Sequence, residues 1–310
     1  MRVLLLGGTG FIGPRITAQL LSTGHEVGVI HRGHHHVPPG SVSLLLDRRD
    51  RSRLAAALAA FHPEALIDMI AYTVTDVDVV LPALRQHLRH VTLISSGDVY
   101  RAYGAFLRLE PPPSSPGPAA EAGELRRSRY PYRGQALSPD DLLHDYDKIL
   151  VEERYRAHSP VPVTTLRLPM VYGPGDPHRR VAADVRRLRD APEGLLQLHS
   201  AEATWRCTRG YVDDVAAAIA VATVHPDAAG KTYNIGESDA LTTQEWLTGL
   251  AQTFNLPTTI HPSPFVAPSH PADWSVSVVS TTSRIRSELA YVEPVGRATG
   301  LRHCVSVAAA

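Results

Sequence analysis

The sequence predicts a doubly wound α/β fold, a parallel sheet with helices on both faces, followed by a smaller C-terminal α/β lobe. Three observations carry that prediction. Short apolar runs alternate with helical stretches through the first half of the chain, a rhythm that implies right-handed crossovers between parallel strands. The first apolar run leads at once into Gly7-Gly8-Thr9-Gly10-Phe11-Ile12-Gly13 and then a helical pattern. The chain has 310 residues, enough to bury a large core as two lobes or one large α/β unit.

Residues 3–6 read as the first strand. A helix over 14–23 follows, because Pro14 suits an opening turn, Ile16 and Leu20 recur at helical spacing, and Gly24 closes the helix before a strand at 26–30. Further strands are expected at 42–46, 65–70, 91–95 and 163–168, with helices at 51–61 and 76–88. Residues 110–137 hold Pro111, Pro112, Pro113, Pro116, Pro118 and Pro131 and read as a long loop, either a lid or binding element or an inert insertion. Ser138 as N-cap, Pro139 in the first position and Asp141 completing a capping box start a helix expected to run to about Arg156. Residues 166–176 read as strand then loop, 213–224 as an alanine-rich helix, and 256–271 as Pro-rich turns.

The glycine turn points to a dinucleotide. One glycine permits the tight turn off the strand, a second lets a pyrophosphate approach the backbone, and the third lets helix and strand pack closely. The following helix aims its free amides and its positive dipole end at the phosphates. The expected division is therefore a dinucleotide-binding domain over 1–170, with 211–230 returning to it, and a substrate-binding lobe over 171–310.

Composition narrows the partners. Lys plus Arg equals Asp plus Glu at 31 each, so no global field draws the chain to nucleic acid or anionic lipid, and neither is expected as a partner. Cys207 and Cys304 are too few for a disulfide framework. No apolar run is long enough for a bilayer, and residues 1–6 read as a strand rather than a signal peptide, so a soluble cytoplasmic protein is expected. His34-His35-His36 reads as loop, since three adjacent residues cannot all face one ion, and no metal is expected. No G-x-S-x-G elbow supports a serine hydrolase. Arg179, Arg180, Arg186, Arg187 and Arg189 form a basic cluster, read as a solvated helix face ahead of an anion site.

In this order the pieces resemble the extended short-chain dehydrogenase/reductase family, the NAD(P)-dependent sugar epimerases and dehydratases with a Rossmann-like domain. The resemblance is carried by the glycine turn, Asp47-Arg48-Arg49-Asp50, Ser95-Ser96-Gly97-Asp98-Val99-Tyr100, Lys148, Arg167-Leu168-Pro169-Met170-Val171-Tyr172-Gly173-Pro174-Gly175, Tyr211-Val212-Asp213-Asp214-Val215-Ala216 and Tyr233-Asn234-Ile235-Gly236. It implies a cofactor held by Gly7, Thr9, Gly10, Phe11, Ile12, Gly13, His31, Arg32, Asp47, Arg48, Ala71, Tyr72, Lys148, Pro169 and Val171, and a homodimer as the assembly. Where the family uses NAD it places a carboxylate after the second strand; here His31 stands there and Arg32 follows, which favours NADP with NAD as the alternative. Asp47 is expected to accept from the adenine amino group.

The same resemblance implies a catalytic Ser or Thr, Tyr and Lys, in which the lysine and the nicotinamide lower the tyrosine pKa. Ser96 and Lys148 match. Four residues before Lys148, where the tyrosine belongs, stands His144. On one continuous helix His144 and Lys148 share a face and Tyr146 lies on another. Two readings stay open: His144 is the acid/base, with Tyr146 and Asp98 the next catalytic candidates should it carry no proton, or the redox step is lost and the protein is a nucleotide-binding sensor or scaffold. Asp98 occupies the place of a dehydratase carbon base, or is a loop aspartate. Ser96, Met170, Trp205, Arg206 and Arg209 are the candidate contacts to a small-molecule substrate, with the phosphate-gripping arginine undecided between Arg206 and Arg209.

Overall fold

The computed structural model describes residues 1–85 and 87–308. Its strands in chain order are β1 (Arg2–Leu6), β2 (Glu26–His31), β3 (Val42–Leu45), β4 (Ala65–Asp68), β5 (His90–Ser96), β6 (Val163–Leu168), β7 (Met170–Tyr172), β8 (Leu195–His199), β9 (Arg209–Tyr211), β10 (Thr232–Asn234) and β11 (Thr259–Ser263). Seven of them form one sheet in the order β10-β6-β5-β4-β1-β2-β3. Every pairing in it is parallel. The chain runs outward from β1 to β3, then returns past β1 to build β4, β5, β6 and β10. The order therefore reverses between β1 and β4, and the crevice beyond their C-terminal ends is where such sheets bind ligands.

The helices are α1 (Gly13–Ser22), α2 (Arg51–Phe61), α3 (Val74–Val80), α4 (Arg101–Phe106), α5 (Leu142–Asp145), α6 (Lys148–His158), α7 (Arg180–Arg189), α8 (Ser200–Thr204), α9 (Val212–Val224), α10 (Thr243–Thr253), α11 (Ser283–Leu289) and α12 (Arg297–Ala308). β1 shows how the layers follow from sequence. Val3 and Leu5 join Ile16 and Leu20 of α1 and the alanines of α9 in one apolar cluster. Leu4 and Leu6 join Leu54 and Leu58 of α2, Val77 of α3 and Val151 of α6 in another. A strand with side chains alternating between two covered faces must be apolar throughout, as this one is. Beyond the sheet, β7 pairs with β9 and β8 with β11, each in parallel, and α7 packs on α10. Among the described residues no helix is long and apolar enough to cross a membrane.

Two expectations about helices need correction. The helix expected over 76–88 ends at Val80 and tightens to a 3-10 turn over Leu81–Ala83, because Pro82 has no amide to continue the α ladder; Gln86 lies outside the described residues. The helix expected from Pro139 to Arg156 is two helices. Asp141, not Ser138, caps the first, its carboxylate accepting from the Leu143 amide. Tyr146 (φ −62°, ψ 120°) and Asp147 (φ −159°, ψ 107°) then leave the helical region before α6 begins at Lys148.

Candidate active site

β1 delivers Gly7 to the crevice. Gly7 has φ 84°, and a Cβ there would lie 2.5 Å from Ile70 Cγ2. At Gly13 a Cβ would come within 2.4 Å of the Gly8 backbone, whereas the Cβ position at Gly10 is open. The N-cap residue Ile12 makes no side-chain capping bond, Pro14 has no amide proton and the Arg15 amide donates to the Ile12 carbonyl at 3.1 Å, which leaves the Gly13 amide of the first turn for an anion. Phe11 and Ile12 pack against the core. Arg15 ties this turn to the lobe beyond it, donating to the Phe11 and Pro174 carbonyls and pairing with Asp213 at 2.6 Å.

A cleft of about 380 Å³ opens beside the turn, lined by Gly7, Thr9, Gly10, His31, Arg32, Asp47, Arg48 and Tyr72 among others. His34 and His35 line it too, so the histidine run is a wall of this cleft as well as a loop. His31 is held by Ser43 at 2.8 Å and accepts from the Gly33 amide. Arg32 is exposed and pairs with no carboxylate among the described residues. Arg48 is turned inward, forking onto Asp68 at 2.8 and 2.9 Å with both groups buried. Among the described residues no group of three His, Cys, Asp or Glu is arranged for a metal ion.

A second cleft of about 920 Å³ begins at Ser96, Gly97 and Asp98 and runs between Pro169, Met170 and the α7, α8 and α10 segments. Asp98 is 5% exposed. Its Oδ2 accepts from the hydroxyls of Tyr146 at 2.9 Å and Tyr132 at 3.1 Å, while Oδ1 is buried with no partner. Burial pushes the Asp98 carboxyl up, against the pull of Arg126 and of the tyrosine hydroxyls. Tyr103 and Tyr132 hydroxyls stand 2.9 Å apart. Tyr146 also hydrogen-bonds Ser96, and burial raises its phenol well above the ordinary value. The Tyr146 ring is in the lining of neither cleft but lies between lining residues of both, 6.1 Å from Tyr72 of the first and 5.2 Å from Tyr132 of the second. Lys148 is buried, its Nζ donating to the Ala71 and Ile94 carbonyls and lying 4.7 Å over the Tyr72 ring. Burial lowers this ammonium to about 8.

The helix break decides which side chain arrives here. Residues 144 and 148 do not share one helix, so the expectation of His144 and Lys148 on a common face, with Tyr146 turned elsewhere, is corrected. His144 is bonded through Nδ1 to Asp145 at 2.8 Å and lines neither cleft. Asp147 makes the break: its carboxylate caps α6 at Ile149, accepts from the Tyr130 amide at 2.7 Å and lies 3.5 Å from buried Arg126, while its own amide donates to the Tyr72 carbonyl. Arg126 in turn donates to the Asp98 carbonyl. Tyr132 and Arg126 come from the Pro-rich loop, which thereby supplies a wall of the site; nothing in their local spacing marked them.

Of the remaining candidates, Trp205, Arg209, Pro169 and Met170 line the second cleft. Val171 is buried and lines neither. Arg206 is bonded to the Ala240 carbonyl and Glu245 and lines neither, which leaves Arg209 as the arginine facing the cleft. Arg180 and Arg187 of the basic cluster line it as well, so that helix face is not wholly solvated.

A sequence profile of the NAD dependent epimerase/dehydratase family matches residues 3–236. The chain is 26% identical over 281 residues to a 2'-dehydrokanamycin reductase of Streptomyces kanamyceticus, covering 89% of this chain and 71% of that protein. Among solved structures it superposes on a UDP-glucose 4-epimerase of Thermus thermophilus in complex with NAD, with TM-score 0.69, 23% identity and coverage of 100% and 99% of the two chains. It also superposes on the UDP-glucose-4-epimerase of Stenotrophomonas maltophila with bound NAD and formylated UDP-arabinopyranose, with TM-score 0.74, 18% identity and coverage of 100% and 98%.

Proposed function

This chain belongs to the NAD dependent epimerase/dehydratase family of NAD(P)-dependent enzymes, and on that premise we propose that it is an NADP-dependent oxidoreductase or epimerase whose proton carrier is Tyr146. The observation that carries the reading is the Tyr146 hydroxyl, hydrogen-bonded to Asp98 and Ser96, both of which line the second cleft.

The first cleft fits a dinucleotide. Gly10 leaves open space for a pyrophosphate, and the uncapped start of α1 offers it the Gly13 amide. Asp47 lines the adenosine end, and unpaired Arg32 at the rim suits a 2'-phosphate where a ribose-binding carboxylate would exclude one. The solved relatives carry NAD, and it is Arg32 with His31 that favours NADP here. When bound, the nicotinamide gives or takes a hydride. Ser96 orients the substrate oxygen. In the oxidative direction the substrate hydroxyl passes its proton to Tyr146 Oη, which releases its own proton to Asp98 Oδ2 along their hydrogen bond. In the reductive direction the same path runs backwards, Tyr146 protonating the carbonyl oxygen. Asp98, on the wall of the second cleft with its Oδ1 unpartnered, is also placed to take a proton from carbon beside a carbonyl. A carboxyl held up by burial keeps its proton to higher pH than a free carboxyl, which suits it to hand a proton to and from the tyrosine.

The experiment is a fluorescence titration with NADPH and NADH followed by turnover on a panel of ketosugars and quinones. Tighter NADPH binding with reduction of a panel member supports the reading. A stoichiometric nucleotide complex with no turnover across the panel moves the chain to the sensor class.

A further inference from the structure

A proton that Asp98 takes from Tyr146 has to leave again before the next turnover. Asp98 is buried, its Oδ1 has no partner, and its Oδ2 holds two tyrosine hydroxyls, of Tyr146 at 2.9 Å and Tyr132 at 3.1 Å. The cations nearest the carboxylate offer no exit. Arg126 donates to the carbonyls of Asp98 and Ser128, and a guanidinium cannot accept a proton. Lys148 is spent on the Ala71 and Ile94 carbonyls and, among the described residues, makes no bond to the carboxylate.

A line of hydroxyls runs outward from Oδ2. Tyr132 Oη lies 2.9 Å from Tyr103 Oη of α4, and both tyrosines are partly exposed and line the second cleft, which Tyr146 does not. Tyr132 has one proton and two neighbours. When it donates to ionised Asp98 it can accept from Tyr103, and when it donates to Tyr103 it can accept from protonated Asp98. The two arrangements differ by one proton on the carboxyl, and both fit the same heavy-atom positions. Packing holds those positions: the Tyr132 ring meets Tyr103 edge-on at 6.3 Å and Tyr146 at 5.2 Å. The adjacent Arg133 stacks on Tyr130 at 3.8 Å and donates to the His144 carbonyl, which fixes the stretch of loop that delivers Tyr132.

We propose that the hydroxyls of Tyr132 and Tyr103 form a proton path between Asp98 and the solvent of the second cleft, by which the enzyme releases the proton of an oxidation or takes up the proton of a reduction. This rests on the oxidoreductase reading above. In the oxidative direction the Asp98 O–H bond breaks as its proton goes to Tyr132 Oη, the Tyr132 proton passes to Tyr103 Oη, and the Tyr103 proton passes to water. Asp98 returns to carboxylate, each phenol gains one proton and loses one, and no electrons move. Rotation of the two hydroxyls restores the first arrangement. Both tyrosines are positioning residues, acting through Asp98.

The test follows Asp98 in the full chain and needs no substrate. Its carboxyl is the protonated-carboxyl infrared band that Asp98→Asn removes, and rapid mixing into D2O gives the rate at which that proton exchanges, each variant being held below its own titration midpoint. Tyr146→Phe is the background, because it closes the other way out, through Ser96. Adding Tyr132→Phe is expected to slow exchange by about ten- to a hundredfold, the lower part of what a positioned acid-base group contributes, and adding Tyr103→Phe instead is expected to slow it as well. An unchanged rate in either double variant overturns the path, since Asp98 then reaches solvent without it. A faster rate overturns it too, because a tyrosine that only packs the site would loosen it when truncated. If a double variant does not fold, the single Tyr132→Phe is compared with Tyr146→Phe: slower exchange in Tyr132→Phe supports the path, and an equal or faster rate overturns it. On any panel member turned over with NADPH, Tyr132→Phe should lower kcat and raise its solvent deuterium isotope effect with KM unchanged; an unchanged isotope effect overturns the catalytic use of the path. No turnover across the panel overturns the oxidoreductase reading, whereas the exchange rate decides the path by itself.

Discussion

The glycine turn at residues 7–13 and the segment from His144 to Lys148 both place functional groups at the mouth of the sheet, but they are specified in opposite ways. The turn is local. Gly7 has φ 84° and Gly13 meets the Gly8 backbone, so the requirement for each glycine comes largely from the turn itself. The 144–148 segment is specified from a distance. Asp147 holds partners at Tyr72, Tyr130 and Arg126, and those bonds break a helix that local spacing would continue. A motif read by spacing is only as good as the assumption that its backbone is regular, and a buried carboxylate with remote partners removes that assumption.

The contrast can be broken or sharpened by substitution. The largest effect is expected at the turn: Gly13→Val forces atoms into the Gly8 backbone and should abolish dinucleotide binding in a fluorescence titration while costing about 1–3 kcal/mol of stability, the usual range for overpacking. Retained binding would show that the turn does not hold the cofactor. Next is the break itself. Asp147→Ala removes the cap of α6, worth about 1 kcal/mol in a melt, leaves buried Arg126 without its carboxylate at a further cost of about 3–5 kcal/mol, and should cost about a hundredfold in kcat with NADPH affinity unchanged, as misplacing a reacting group by an ångström does. Asp147→Asn, still a good cap but without the charge that faces Arg126, should recover the cap's share of the stability alone; if Asp147→Ala keeps full turnover, the break does not position Tyr146.

A smaller effect is expected at the rim of the first cleft. Arg32→Ala should weaken NADPH by about tenfold and leave NADH unchanged, the size of one lost charge-assisted bond; equal losses for both would contradict the NADP assignment. The smallest is a pH dependence. Burial raises the Asp98 carboxyl from its ordinary 3.8, so its contribution to stability is complete below that value and is lost as pH rises through the folded-state value. Asp98→Asn should therefore melt progressively higher relative to the parent as pH climbs above 3.8, the gap levelling off once Asp98 is ionised. A gap that does not change with pH would show that the carboxyl is not held protonated.

The strands of the main sheet were legible because β1 and its neighbours are apolar on both faces and turn signals bound them. Gly7, Thr9, Gly10, Asp47 and Arg48 were legible as a cleft because they sit at strand ends whose order in the sequence sets their neighbourhood. Tyr103, Tyr132 and Arg126 were not. Tyr132 and Arg126 meet Asp98 only through the path of the Pro-rich loop, from which Tyr132 also reaches Tyr103 of α4, and no residue near them in sequence encodes that meeting. Arg206 and Arg209 could be told apart only by the backbone that turns Arg209 into the cleft and Arg206 toward Glu245. Tyr146 was visible as a residue and hidden as a position, since its placement depends on Asp147 finding partners as far away as Tyr72.

The measurement that bears most directly on this account is single-turnover hydride transfer from NADPH, under identical conditions, in Tyr146→Phe and His144→Phe. With Tyr146 as the proton carrier, Tyr146→Phe slows transfer by about two to four powers of ten, the span of general acid-base catalysis, while His144→Phe stays within about threefold of the parent. The reverse pattern, slow transfer in His144→Phe and near-parental transfer in Tyr146→Phe, would contradict the account and return the proton to the imidazole.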